Sequence, residues 1–256
     1  QEGDGISEFV TSVRTGRTVS EIETGQDEKN TKNPFDEVEV QLTKLTDQFP
    51  TGEDWLFELK YDGYRIISFV EGNTVRLMTR NGKDYSDKFK GVVPSLTELA
   101  SGRATVLDGE MVVLDSAGKT DFQALQNYIK SPKGKALTYI IFDLLALDGK
   151  DLRGLPLIER KNQLEALMKD APNNLHYSRH VRGDNTASVA GACFTAACEA
   201  GMEGIVGKKS DSVYSGTRSG DWVKVKCERR QEFVIGGYIR TDKKTSGISS
   251  LLLGVY

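Results

Sequence analysis

No apolar run in the chain approaches the roughly 18 residues that a membrane-spanning helix needs, so a soluble globular protein is expected. The opening residues, QEGDGISEFV, lack both the basic and the apolar segment of a secretory signal, and the expected compartment is therefore the cytoplasm. Cysteine is scarce. Cys193, Cys198 and Cys227 are too few and too unevenly spaced for a zinc site or a disulfide framework, which leaves reduced core thiols as the expectation. Positive charge is not in excess either: a formal net charge of −3 argues against a uniformly basic nucleic-acid binder. No internal repeat points to a solenoid.

What the chain does have is an uneven distribution of charge. Residues 1–60 carry 6 basic and 14 acidic side chains, whereas residues 203–256 carry 10 basic and 6 acidic. A polyanion would be met by the C-terminal third. Residues 1–33 are polar, with scattered apolar positions, and read as a tail or linker. From Pro34 onward, strand-like runs recur at 55–59, 65–70, 74–79, 104–115, 136–145, 203–209, 222–226 and 232–239, with Glu71-Gly72-Asn73 turning the second into the third as a hairpin. Three helices are expected. One covers 121–129 behind an Asp121 cap, another begins after Pro156, and the third spans about 186–200, with Val189, Cys193, Ala196 and Ala200 as its small apolar face and Gly201 as its stop. Helices placed irregularly between strands predict an α+β fold of antiparallel sheets.

Chemistry concentrates in a few places. ELKYDGYR puts Lys60, Asp62 and Arg65 within six residues. A lysine becomes a nucleophile near neutral pH only if its pKa, ordinarily about 10.4, falls by roughly 3 units, which burial and neighbouring cations can achieve. Lys208, Lys224 and Lys226 are such cations if the fold gathers them. The alternation in WVKVK puts Trp222, Lys224 and Lys226 on one face, although a solvated strand face would look the same. Asp62, Glu110 and Glu203 sit beside glycines at strand ends, as acids serving a ligand or a hard divalent cation would, and equally as turn acids do. Phe142 suits a core or a stacking role.

The ordered motifs KYDGYR, TRNG (79–82), LDGE (107–110), FDLL (142–145), EGIV (203–206) and WVKVK (222–226) resemble those of ATP-dependent DNA ligases of the covalent nucleotidyltransferase superfamily. EGIVGKKSDSVYSGTRSGDWVKVKC and FDLLALDGKDLRGLPLIERK look most like the ligase module of the bacterial end-joining ligases. The resemblance covers about 34–256. It implies a nucleotidyltransferase (ATP-grasp-like) fold over 34–229, followed at 230–256 by the first strands of an incomplete oligonucleotide-binding (OB) fold. It also implies ATP with Mg²⁺ or Mn²⁺ as cofactors.

Carried onto this sequence, the resemblance makes Lys60 the nucleophile that takes AMP from ATP. Glu110 would hold the ribose and Phe142 stack on adenine, while Glu58 and Leu59 line its edge. Arg65 would contact the nucleotide and Glu203 serve the metal, with Asp62 and Glu110 as further metal candidates. Lys224 and Lys226 would neutralise the α-phosphate. Arg80 would receive the 5′-phosphate of nicked double-stranded DNA, Asp62 would orient the attacking hydroxyl, and Lys208 and Arg218 would stand near the nucleotide. The implied setting is a monomer in the bacterial cytoplasm at the nucleoid, away from membranes, acting in end joining alongside polymerase or nuclease domains of the same protein. The chain offers only the opening strands of the OB barrel and lacks the family's last basic motif, so slow self-adenylation and weak sealing are expected. RNA ligases, capping guanylyltransferases and a catalytically idle DNA-binding module are the alternatives.

Overall fold

The computed structural model describes residues 38–131, 137–227, 234–240 and 247–254; the polar segment 1–33 lies outside them. Thirteen strands are described, in two main sheets and a hairpin. The first sheet has the order β1-β11-β10-β2-β9, built from Lys44–Leu45 (β1), Trp222–Lys226 (β11), Gly204–Lys209 (β10), Trp55–Leu59 (β2) and His180–Arg182 (β9). The second runs β4-β3-β5-β6-β7, from Thr74–Thr79 (β4), Tyr64–Glu71 (β3), Thr105–Val113 (β5), Leu137–Leu147 (β6) and Lys150–Asp151 (β7), and Leu175–Tyr177 (β8) also pairs with β6. Pairing is antiparallel except for β1 with β11 and β6 with β8. The fold is α+β, as expected. The expected β3–β4 hairpin forms, with Glu71 opposite Thr74 across the Gly72-Asn73 turn.

Strand β3 is buried on both faces because it is sandwiched. Ile66 and Val70 belong to one apolar cluster with Leu107, Met111, Tyr139 and Ile141. Ile67 and Phe69 face another, with Val106 and Leu145 from their own sheet and Leu56 and Trp222 from the first sheet. That second cluster is the seam that glues sheet to sheet. A third, of Trp55, Phe57, Ile205, Val223 and Val225, packs the far side of the first sheet. Each fully buried side chain of this kind contributes about 1.5–3 kcal/mol.

Helices close the outer faces. Val93–Ala100 (α1), Phe122–Lys130 (α2) and Leu157–Leu167 (α3) send Leu96, Leu99, Leu125 and Leu164 into the first cluster. Asp121 caps α2 by accepting a bond from the Ala124 amide at 2.8 Å. Pro156 stands at the cap of α3 with extended backbone, one residue before the helix proper. Ser188–Glu199 (α4) covers the first sheet. Its fully buried positions are Ala190 and Ala197, not the expected stripe, of which Ala196 and Ala200 are exposed. Phe194, tilted against Phe49 at 5.3 Å, turns the helix that way.

A second correction concerns the thiols. Cys198, in the last turn of α4, is disulfide-bonded to Cys227, just beyond β11, with Cα atoms 5.6 Å apart, and only Cys193 is free. Folding brings the ends of a helix and a strand together, which a separation of 29 residues does not announce. The remaining strands, Val234–Arg240 (β12) and Ile248–Gly254 (β13), pair only with each other among the described residues and expose Ile235, Ile239, Leu252 and Leu253.

Candidate active site

Where the two sheets diverge from the seam they leave a cavity of about 450 Å³, within the range of small-molecule sites. The first sheet lends Glu58, Leu59, Lys60, Val206, Lys208, Trp222 and Lys224; the second lends Arg65, Arg80, Glu110 and Phe142. Lys60 follows β2 directly, its amide donating to the Gly204 carbonyl at 2.9 Å. Two glycines make the close approaches possible. A Cβ on Gly63 would collide with the Met111 carbonyl oxygen, and Gly204, at φ 143°, passes against the Val225 carbonyl, where a side chain would be both strained and obstructed.

One end of the cavity is ionic. Lys60 Nζ stands 2.5 Å from Glu203 Oε2, and Lys226 Nζ stands 2.8 Å from Glu203 Oε1. Burial pushes the Glu203 carboxyl up, but bonds from Lys226 and Lys60 outweigh it and hold the group below the usual carboxylate range. Burial and the neighbouring charges of Lys60 and Lys226 lower the Lys224 ammonium. The expected gathering of cations is therefore real for Lys60, Lys224 and Lys226.

Lys208 is elsewhere. It is buried, with its ammonium 4.3 Å from the ring centres of both Phe142 and Trp222 and 3.0 Å from Glu58 Oε2. Burial brings its pKa down to about 8 despite Glu58. Phe142 meets Trp222 edge-on at 6.1 Å, leaving an aromatic wall on the cavity. Glu58 is itself buried and held on both oxygens: besides Lys208, Lys161 Nζ donates to Oε1 at 2.8 Å and Ser178 Oγ to Oε2 at 2.7 Å, which leaves Oε1 one acceptor site.

Glu110 is pushed up to about 8, chiefly by burial, with Arg65 and Lys60 opposing and Asp108 and Asp62 adding to the rise. It is thus mostly a neutral acid at pH 7, able both to donate and to accept hydrogen bonds. Arg65 lies on the wall, but its donors are committed to the protein. Its Nε and Nη2 grip both oxygens of buried Asp108 at 3.0 and 2.6 Å, and Nη1 donates to the Gln41 carbonyl at 2.6 Å. Its guanidinium stacks 5.2 Å from the Phe142 ring. Arg80, exposed beyond β4, and Arg218, bonded to the Thr43 carbonyl, stand on the cavity rim.

Asp62, Glu203 and Lys226 do not line the cavity, although Glu203 and Lys226 border it through Lys60. Among the described residues no three acidic, histidine or cysteine side chains come together as a metal cluster, and Asp62, Glu110 and Glu203 stand apart from one another as such a group. Asp62 is exposed outside the cavity, Glu110 lies in its wall, and both oxygens of Glu203 hold lysines. A single carboxylate still fits Mg²⁺, which usually keeps several waters and borrows phosphate oxygens.

Sequence reasoning missed Asp108 and Tyr214, which hold Arg65, and Lys161 and Ser178, which hold Glu58. Asp108 and Tyr214 lie inside the quoted stretches LDGE and EGIVGKKSDSVYSGTRSGDWVKVKC, and Lys161 closes the quoted FDLLALDGKDLRGLPLIERK without standing out in it; nothing in the sequence sets Ser178 apart.

A lysine beside two more lysines and an acid, facing an aromatic wall across the cavity, is an arrangement suited to nucleotidyl transfer. Residues 33–226 match the ATP-dependent DNA ligase domain family, and the chain belongs to it. More particularly, it is 42% identical over 227 residues to the multifunctional non-homologous end joining protein LigD of Pseudomonas aeruginosa, covering 88% of this chain and 26% of that protein. It is 36% identical over 206 residues to the LigD end-joining repair protein of Mycobacterium tuberculosis, covering 78% of this chain and 25% of that one. The chain thus spans about a quarter of the length of these relatives. Among solved structures, the mycobacterial DNA ligase D complexed with ATP and MES superposes with a TM-score of 0.63 at 33% identity, over 83% of this chain and 67% of that one.

Proposed function

We propose that the chain is the adenylation part of an ATP-dependent DNA ligase acting in bacterial non-homologous end joining. The observation that carries this is Lys60 at the mouth of the slot, with Glu203, Lys224 and Lys226 on one side and the Phe142–Trp222 wall on the other. ATP lies with its base against Phe142 and its α-phosphate between Lys60 and Lys224. Lys60, having given up a proton, forms an Nζ–P bond as the bond to pyrophosphate breaks; Lys224 and Lys226 stabilise charge growing on the phosphoryl oxygens. Glu110 in its neutral form bonds the ribose, and Glu58 with Leu59 borders the base edge. Arg65 supports the Phe142 ring from behind, and Lys208 and Arg218 flank the nucleotide. Glu203 would hold Mg²⁺ or Mn²⁺, which when bound would supply further charge neutralisation at phosphorus.

AMP then passes to the 5′-phosphate of nicked double-stranded DNA, which Arg80 receives on the rim, while Asp62 orients the attacking hydroxyl. Contacts of this kind reach phosphates and leave base sequence unread, as a repair enzyme requires. The reading divides the chain into a linker at 1–33, an adenylation domain at 34–229 and the opening strands of an OB domain at 230–256. It places a monomer at the nucleoid in the cytoplasm, joined to polymerase or nuclease domains. No described helix is long and apolar enough to cross a membrane. The test is an intact-mass measurement after incubation with ATP and Mg²⁺, with GTP in parallel. An AMP adduct that disappears in Lys60→Ala is expected; a GMP adduct, or an adduct that survives the substitution, overturns the reading.

A further inference from the structure

Helix α3 carries two adjacent cations that are both wholly buried, Arg160 and Lys161. Arg160 is accounted for by structure alone. Its guanidinium grips both oxygens of buried Asp143 at 2.8 Å, one charge against one, and neither residue lines the cavity.

Lys161 is different in three respects. Its carboxylate partner, Glu58, is a wall residue of the cavity. That carboxylate already has Lys208 on its other oxygen, so two buried ammonium groups flank one acid, more positive charge than pairing requires. And its donors join elements of both sheets: Glu58 Oε1 on β2 at 2.8 Å, the Ser178 carbonyl between β8 and β9 at 3.0 Å, and, more weakly at 3.5 Å, the carbonyl of Phe142 on β6. The Tyr177 ring covers the ammonium at 4.7 Å. A lysine placed there at such desolvation cost ties the acid on one wall to the main chain beneath the aromatic ring on the other.

We propose that Lys161 is a positioning residue of the nucleotide slot, fixing the Glu58 carboxylate and the Phe142 main chain and so setting the base-recognising end of the cavity. The proposal rests on the nucleotide-transfer reading above. With Lys161 and Ser178 holding Glu58 from behind, the carboxylate is fixed as an acceptor in the wall. It favours a base that offers an amino donor at that edge, as adenine does, over one that offers a carbonyl, as guanine does. Freed from Lys161, the carboxylate can swing toward Lys208, and the discrimination blurs.

The experiment is calorimetric titration of ATP and GTP, without divalent cation, into the wild-type chain, Lys161→Met, Lys161→Arg, Glu58→Gln and the Glu58→Gln/Lys161→Met pair, with Leu164→Ala as a variant that loosens α3 packing only. The expected result is ATP affinity reduced about tenfold in Lys161→Met with a smaller ATP-to-GTP ratio, partial recovery in Lys161→Arg, and a pair no weaker than Glu58→Gln alone. Leu164→Ala should melt earlier with the ratio intact. Should Lys161→Met not fold, the pair, which leaves no lone buried carboxylate, carries the comparison. A folded Lys161→Met with wild-type affinity and ratio overturns the proposal, as does a pair whose loss is the product of the two single losses. A wild-type chain that binds neither nucleotide instead overturns the reading beneath it.

Discussion

Lys60 and Glu203, 143 residues apart in sequence, share an ion pair at 2.5 Å, and the second oxygen of the same carboxylate holds Lys226 at 2.8 Å. The acid therefore spaces two ammonium groups that would otherwise repel each other. Replacing Glu203 with Gln removes that spacing as well as the proposed metal ligand. Adenylation should fall about 10²–10³-fold, the scale of losing a charge-stabilising group in a transition state. Single-turnover rates with labelled ATP measure it, and a loss below tenfold would show that the lysines are held by something else.

Two groups at the cavity titrate near pH 8, and they act in the same direction. As pH rises from 7 to 9, Glu110 changes from neutral to anionic and Lys208 from cationic to neutral, so the slot loses positive charge at both. ATP is an anion throughout this range, so its affinity should fall with pH. Glu110→Gln removes one of the two titrations, and the fall in that variant should be shallower. A flat pH dependence in the wild type would contradict the assignment.

Asp108 holds Arg65 by two bonds and accepts another from the Tyr214 hydroxyl at 2.6 Å. Asp108→Ala leaves a buried guanidinium uncompensated, at a cost of about 3–5 kcal/mol. Urea unfolding with an unchanged m-value is the measurement, and a loss below about 1 kcal/mol would place Arg65 in water rather than on the wall.

The Cys198–Cys227 bridge closes a loop of 29 residues that contains Glu203, Lys208 and Lys224. Reduction should lower stability by roughly 3 kcal/mol on the loop-entropy argument. Cys227→Ser should reproduce the shift in melting temperature and become insensitive to reductant; equal sensitivity in both proteins would rule the bridge out.

Arg80 stands exposed on the cavity rim. Arg80→Ala should leave AMP adduct formation within a few-fold of wild type while weakening binding to nicked DNA and making it less sensitive to salt. Electrophoretic binding curves at two salt concentrations test this.

Much of the frame was legible because strand signals are local. The runs 55–59, 74–79 and 222–226 form strands with those very limits, and Asp121 caps its helix as its position suggests. Short pieces escaped: β8 and β9 have three residues each and owe their form to pairing with β6 and β2. Helix α1 passed unnoticed as well, although Pro94 sits in its first turn. In the cavity, residues that announce chemistry were found and residues that hold them were not. Lys60 and Glu203 carry the short motifs themselves, whereas Lys161, at the end of the quoted FDLLALDGKDLRGLPLIERK, reads as one more polar residue on a helix until the fold buries it. Among the described residues Asp62, Glu110 and Glu203 do not gather, for a related reason. Proximity to glycine marks an acid at a strand end, but not the direction in which its carboxylate points.

The seam has a consequence for anyone scanning this protein at random. Lys60, Lys208, Lys224 and Trp222 travel with one sheet, Arg65, Glu110 and Phe142 with the other, and what keeps the halves of the slot in register is hydrocarbon: Leu56, Ile67, Phe69, Val106 and Leu145. A library selected for catalysis would recover these buried aliphatic and aromatic positions beside the charged ones. Inactive clones that still fold would then map an adhesive layer that touches no substrate atom.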